Sequence, residues 1–123
     1  MRIIVYGSLR RKQGNSHWMT DAQLLGEHDL EGYEMYNLGH YPAVIPGDGT
    51  VHCEVYRINS SIMNELDELK SNTKDYRREL IKTPYGSAWI YLYRLPTEGL
   101  PRIYSGDWLK RHEEIDKPVK SKQ

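Results

Sequence analysis

The sequence predicts an α+β domain, and three stretches carry that prediction. Residues 2–6, RIIVY, make a short run rich in β-branched side chains and bounded by Gly7 and Ser8, the pattern of a buried strand. In residues 61–70 the side chains of Ile62, Met63, Leu66 and Leu69 recur at helical spacing and form one apolar stripe. YRRELIKT and SAWIYLYRL flank the turn signal PYG and predict a hairpin of two long strands. A chain of 123 residues is expected to fold as one domain with a real core, without disulfides or metal.

The remaining elements follow in order. Trp18, Met19, Ala22 and Leu25 predict a helix from Asn15 or Ser16 to Leu25, with Gly26 as its C-cap. Glycines 32, 39, 47 and 49 with Pro42 and Pro46 divide residues 28–58 into short strands joined by turns, PGDG being one such turn. In VHCEVYRI, residues 51–58, Val51, Cys53 and Val55 share one face while His52, Glu54, Tyr56 and Ile58 share the other. Asn59 or Ser60 caps the helix that follows. Residues 87–95 are apolar or aromatic on both faces, as in a strand covered on two sides. The domain spans 1–110, and residues 111–123, charged and nearly free of apolar side chains, read as a disordered tail.

Composition removes several functional classes. Lysine plus arginine and aspartate plus glutamate are 17 each, so no net charge draws the chain to nucleic acid. No run approaches the roughly 18 apolar residues of a membrane span. The four apolar residues after Arg2 fall short of the apolar core of a signal peptide, so a cytoplasmic location is expected. Cys53, the single cysteine, reads as a small apolar filler, since burial in a strand raises rather than lowers a thiol pKa. The five histidines are scattered, with no HxxxH pair and no CxxC, so no metal is expected. Ten tyrosines, three tryptophans and no phenylalanine put a polar tip on every ring, which suits a semi-polar cavity.

The stretch Tyr6-Gly7-Ser8-Leu9 stands apart because an apolar strand ends there and Arg10-Arg11-Lys12 follows at once. It lacks the glycines of a dinucleotide loop and the Lys-Ser/Thr of a phosphate loop. A glycine just after a strand lets successive backbone N–H groups point into one concavity suited to a carboxylate, and Ser8 adds a hydroxyl donor. A plain strand-ending turn uses the same residues. The cationic run reads as a solvated loop, with weak steering of an anionic ligand as its functional alternative.

Several blocks, taken in order, resemble one family. VYGSLRRKQGNSH at 5–17, GHYPAVIPGDG at 39–49, CEVYRI at 53–58, LDELK at 66–70 and YRRELI at 76–81 are similar to the γ-glutamylcyclotransferase-like (AIG2-like, BtrG-like) family, in particular its small bacterial YtfP-type branch. The resemblance implies a small mixed β-barrel flanked by helices, with the loop at the rim of a cavity and neither metal nor redox cofactor. It implies a reaction in which the α-amine of a γ-glutamyl compound attacks its own γ-carbonyl, closing 5-oxoproline and releasing an amine or peptide. The ligand would be a small carboxylate-bearing molecule, and the backbone amides of Tyr6, Gly7, Ser8 and Leu9 would supply donors to it.

The resemblance also implies a general base, and there the sequence departs. Relatives that catalyse carry glutamate at the last position of a motif similar to LDxxE, whereas this chain reads Leu66-Asp67-Glu68-Leu69-Lys70. On a helical wheel Lys70 falls about 50° from the centre of the apolar stripe, Glu65 about 90° and Glu68 about 150°. Lysine serves as a base only if its pKa falls several units from about 10.4. Glu54, Glu65 and Glu68 are the candidate substitutes. The structural reading of Glu54 is a strand-edge carboxylate paired with Arg57 or Arg77. Without a base, the same cavity would bind a carboxylate-bearing metabolite and not transform it.

Overall fold

The computed structural model describes residues 1–7, 10, 21–71 and 75–111, with the side chains of 69–71 outside the description. The described elements run β1 (Arg2–Val5), β2 (Gln23–Asn37), β3 (Pro42–Arg57), α1 (Ser60–Ser71), β4 (Tyr76–Thr83) and β5 (Gly86–Tyr93), followed by a 3-10 turn at Trp108–Lys110. The five strands form one mixed sheet in the order β2-β3-β1-β5-β4. Central β1 lies antiparallel to β3, from Arg2 opposite Arg57 to Val5 opposite Glu54, and parallel to β5 at Ile3 and Trp89.

Period-two alternation assigns each strand residue to one of two apolar layers. On one face Ile4, Val51, Cys53, Val55, Ala88, Ile90 and Leu92 meet Met35, Val44, Ile103 and Trp108. On the other, Ile3, Val5, Tyr56, Ile58 and Tyr91 receive Ile62, Met63 and Leu66 of α1. Covered on both faces, β1 is a continuous apolar run, and β5 alternates between the layers in the same way. Asn59 caps α1, its Oδ1 accepting from the Ile62 amide at 2.9 Å. The 76–83 and 86–93 strands pair from Tyr76 opposite Tyr93 to Thr83 opposite Gly86. Among the described residues no helix is long and apolar enough to cross a membrane.

Four expectations are corrected. The sheet is open and not a closed barrel: its ladder ends at β2 and β4. Residues 101–103 run along the outer side of β2 instead, with Asn37 donating to Pro101 and Ile103 to Met35, each at 2.8 Å. The helix placed at 15–25 cannot reach its far end, because Gln23 already begins β2; residues 11–20 lie outside the described residues. Leu24 packs in the α1 layer and Leu25 against the opposite one, so cross-strand pairing with β3 overrides the local helical spacing. Gly26 accordingly follows a register shift in a strand and caps no helix.

The third and fourth corrections share a cause. The glycine-rich segment 28–58 forms two long strands, turning once near Leu38–Tyr41 at Gly39, because Gly32, Gly47 and Gly49 sit at irregularities within the ladder and do not end it. PGDG is one of these: Thr50 pairs with Glu31 and Pro46 with Tyr33, so residues 47–49 bulge out within β3. The tail expected at 111–123 lies outside the described residues except Arg111, whose guanidinium stacks over Trp108 at 4.1 Å.

Candidate functional site

The stretch Tyr6-Gly7-Ser8-Leu9 leaves the sheet from the C-terminal end of β1. Ser8 and Leu9 lie outside the described residues, but both ends of the loop are defined. Tyr6 is buried, and its hydroxyl donates to the Tyr91 carbonyl of β5. Burial first, and then the neighbouring Tyr76 and Tyr91, push its pKa well above that of an ordinary tyrosine, so the hydroxyl is a permanent donor. The Arg10 amide donates to the Gly7 carbonyl at 3.0 Å, which ties the two described ends of the loop together.

Gly7 is there for space. A Cβ at this position would stand 2.5 Å from Cγ of Pro42, the first residue of β3, whose carbonyl accepts from the Tyr76 hydroxyl at 3.0 Å. Gly7→Ala is therefore expected to force the loop off the Pro42 ring and cost about 1–3 kcal/mol, the usual range for overpacking a filled site. Urea melts of the two proteins check it, and an unchanged midpoint would show that the loop gives way freely.

Arg10 contradicts the reading of its cationic run as a solvated loop, since the side chain is 4% exposed. Its Nε donates to Glu54 Oε2 at 3.1 Å and its Nη1 to Asp107 Oδ1 at 2.9 Å. Glu54 is 1% exposed, and its other oxygen accepts from the Tyr56 hydroxyl at 2.8 Å. The pairing of Glu54 with Arg57 or Arg77 is corrected on the same ground. β3 is an interior strand, so Glu54 has no open edge, while Arg57 reaches Gln23 and Arg77 reaches Glu79.

The other two candidate carboxylates sit elsewhere. Glu65 and Glu68 are exposed on α1. Lys70 belongs to the last turn of α1, with its side chain outside the described residues. Asp67, which the sequence reading passed over as a base, is half-buried and accepts from the Tyr91 hydroxyl at 2.8 Å and from Arg78 at 2.6 Å. Arg78 in turn stacks over the Trp89 ring at 4.4 Å. Tyr91 thus accepts from Tyr6 at its backbone carbonyl and donates to Asp67 from its hydroxyl, two separate bonds. Cys53 is buried, and burial pushes its thiol up to about 12, so it is no nucleophile.

A third charged group shares the Glu54 face of the sheet. His52 lies opposite Asp29, and its Nδ1 and Nε2 stand 2.6 Å from Asp29 Oδ1 and Glu27 Oε1 respectively. A neutral imidazole has one N–H, so contact with a carboxylate at each nitrogen describes the imidazolium. Burial of the ring pulls its pKa down, but the bonds to Asp29 and Glu27 outweigh that and leave it raised. A raised folded-state pKa gives stability that is complete below the unfolded value of about 6.5 and is lost as pH climbs through the folded value. The hollow of about 360 Å³ lined by Glu27, His28, Asp29 and His52 leaves the ring open to titration. Melting temperature is expected to drop by a few degrees on going from pH 6 to pH 8, and less in His52→Gln. Added salt should shrink the difference, because Asp29 is 67% exposed. An equal drop in both proteins would remove His52 as its source.

The profile of the family described as gamma-glutamyl cyclotransferase, AIG2-like, matches residues 3–110. The chain belongs to that family. The gamma-glutamylcyclotransferase family protein YtfP of Escherichia coli K12 is 61% identical over 111 residues, 90% of this chain and 98% of that protein. The solution structure of E. coli YtfP superposes with a TM-score of 0.78, covering 91% of this chain and 99% of that one. The crystal structure of PH0828 from Pyrococcus horikoshii, 30% identical, gives 0.83 over 95% and 97% of the two chains. The family supports a γ-glutamylcyclotransferase-like function, and the mixed α+β fold agrees with these neighbours.

Proposed function

We propose that this γ-glutamyl cyclotransferase family member binds a γ-glutamyl amine or peptide at the loop Tyr6-Gly7-Ser8-Leu9 and cyclises it, in the cytoplasm, without metal or redox cofactor. The α-amine nitrogen bonds to the γ-carbonyl carbon. The α-ammonium has first lost one proton to a base. On attack the carbonyl oxygen becomes an oxyanion, and the carbonyl re-forms as the bond to the departing amine breaks. A second proton passes from the attacking nitrogen to that amine, so the lactam keeps one N–H and the base returns its proton to solvent. Loop amides hold the carboxylate and the oxyanion, a role in which fixed donors count more than strong ones.

The observation that carries this reading is the fixed frame of the loop: Gly7 against Pro42 at one end and buried Arg10 bound to Glu54 at the other. Among Glu54, Glu65 and Glu68, Glu54 is the one beside the loop-bearing strand, opposite Val5. Its oxygens already receive Arg10 and Tyr56, so a proton transferred to it must compete with those donors.

One observation favours a second reading. Residue 70, where the family resemblance implies a glutamate, is lysine, and an ammonium there attracts a carboxylate and repels an α-ammonium. In that case the loop holds a small carboxylate-bearing metabolite unchanged. Incubation with γ-glutamyl-alanine, γ-glutamyl-lysine and γ-glutamyl-ethylamide separates the two. Release of 5-oxoproline from any of them upholds the enzyme. No release, together with a melting-temperature rise in glutarate or 5-oxoproline, upholds the binding protein.

A further inference from the structure

Arg10 lies at the end of the loop turn, and the groups that hold it come from distant parts of the chain. Glu54 is contributed by β3, while Asp107 lies 97 residues beyond Arg10 in sequence. One buried carboxylate already compensates the guanidinium. A second, bound to a different nitrogen of a planar fork, adds orientation: with Nε and Nη1 both held, the plane cannot turn.

Asp107 is itself held firmly. Its Oδ1 also accepts from the Leu109 amide at 3.0 Å and so caps the 3-10 turn. The next residue, Trp108, is 2% exposed in the core. The preceding residue, Gly106, has φ of +69°, and a Cβ there would stand 1.7 Å from the Thr50 carbonyl oxygen, so only glycine lets the segment lie this close to β3. The His52 amide donates to the Gly106 carbonyl at 2.7 Å. Residues 106–108 are thus pinned to β3 and to the core, and Asp107 reaches from them to the loop.

We propose that Asp107 is a positioning residue for the loop Tyr6-Gly7-Ser8-Leu9. By fixing Arg10, whose amide donates to the Gly7 carbonyl, it fixes the point at which the loop ends, so less binding energy is lost in ordering the loop when the ligand arrives. The inference rests on the reading of this loop as the carboxylate and oxyanion cradle.

Asp107→Asn tests it cleanly, because asparagine keeps an oxygen for the Leu109 amide and removes only the charge facing Arg10. Two measurements are made on the full chain: amide hydrogen exchange of peptides spanning residues 5–11, and 5-oxoproline release from the three γ-glutamyl compounds. The expected result is about tenfold faster exchange confined to the loop, with kcat falling about tenfold and KM nearly unchanged, as for misplaced transition-state donors. Asp107→Glu should restore much of both. Unchanged loop exchange, or exchange raised equally through β3 and β5, would overturn the inference. If the wild-type chain releases no 5-oxoproline, the enzyme reading fails, and the local or unchanged loop exchange still decides the role of Asp107.

Discussion

Glu54→Gln is expected to lower stability by about 3 kcal/mol, near the bottom of the range for removing one partner of a buried ion pair. Asp107 still faces Arg10 in that variant, which limits the loss. For a domain of this size the loss corresponds to a drop of about 10 °C in melting temperature. The cost arises because the guanidinium of Arg10, 4% exposed, stays buried while losing the carboxylate on its Nε. A second variant isolates that cause. Arg10→Met combined with Glu54→Met should melt higher than Glu54→Met alone, since the pair of substitutions removes the buried guanidinium that Asp107 would otherwise have to compensate by itself. Additive losses in this cycle would show that Glu54 matters to the fold for some other reason, such as its bond with Tyr56.

The parts of this molecule that were legible in the sequence are those fixed by local periodicity. The stripe of Ile62, Met63 and Leu66, the cap at Asn59 and the alternation of Val51, Cys53 and Val55 all depend on neighbours within a few residues, and each is found where its pattern places it. Gln23 to Leu25 went the other way. Their spacing suits a helix, and only the ladder with Tyr56 and Arg57, more than thirty positions along, makes them a strand. The barrel expectation failed on closure, a property of the two outermost strands that no local pattern encodes.

The polar network was hidden for the same reason. Arg10 sits in a run of three cations that looks solvated until Glu54 and Asp107 are brought to it, and both partners are distant in sequence. A signal for Asp107 was present but local in meaning: an aspartate two residues before the amide it caps, beside a tryptophan large enough to anchor the segment. That spacing marks a capped turn and gives no hint that the same oxygen also binds Arg10. Asp67 resembles it, because its partners Tyr91 and Arg78 lie on strands that follow the helix.

Lys70→Glu is expected to raise 5-oxoproline release by about a hundredfold or more, the scale of a positioned general base. The change replaces an ammonium by a carboxylate in the last turn of α1, where negative charge opposes the helix dipole. That stability cost is about 0.3–1 kcal/mol, small enough for the folded protein to be assayed directly. Binding should move in the opposite direction: the melting-temperature rise produced by glutarate should shrink, since the carboxylate loses an attractive charge and meets a repulsive one. Adding Gly7→Ala to Lys70→Glu should abolish the gain, because a base without the loop in register has no aligned substrate to act on. A folded Lys70→Glu protein with neither gained release nor weakened glutarate binding would remove residue 70 from the site. The base would then have to be sought around Glu54, whose two donors a substrate would first have to displace.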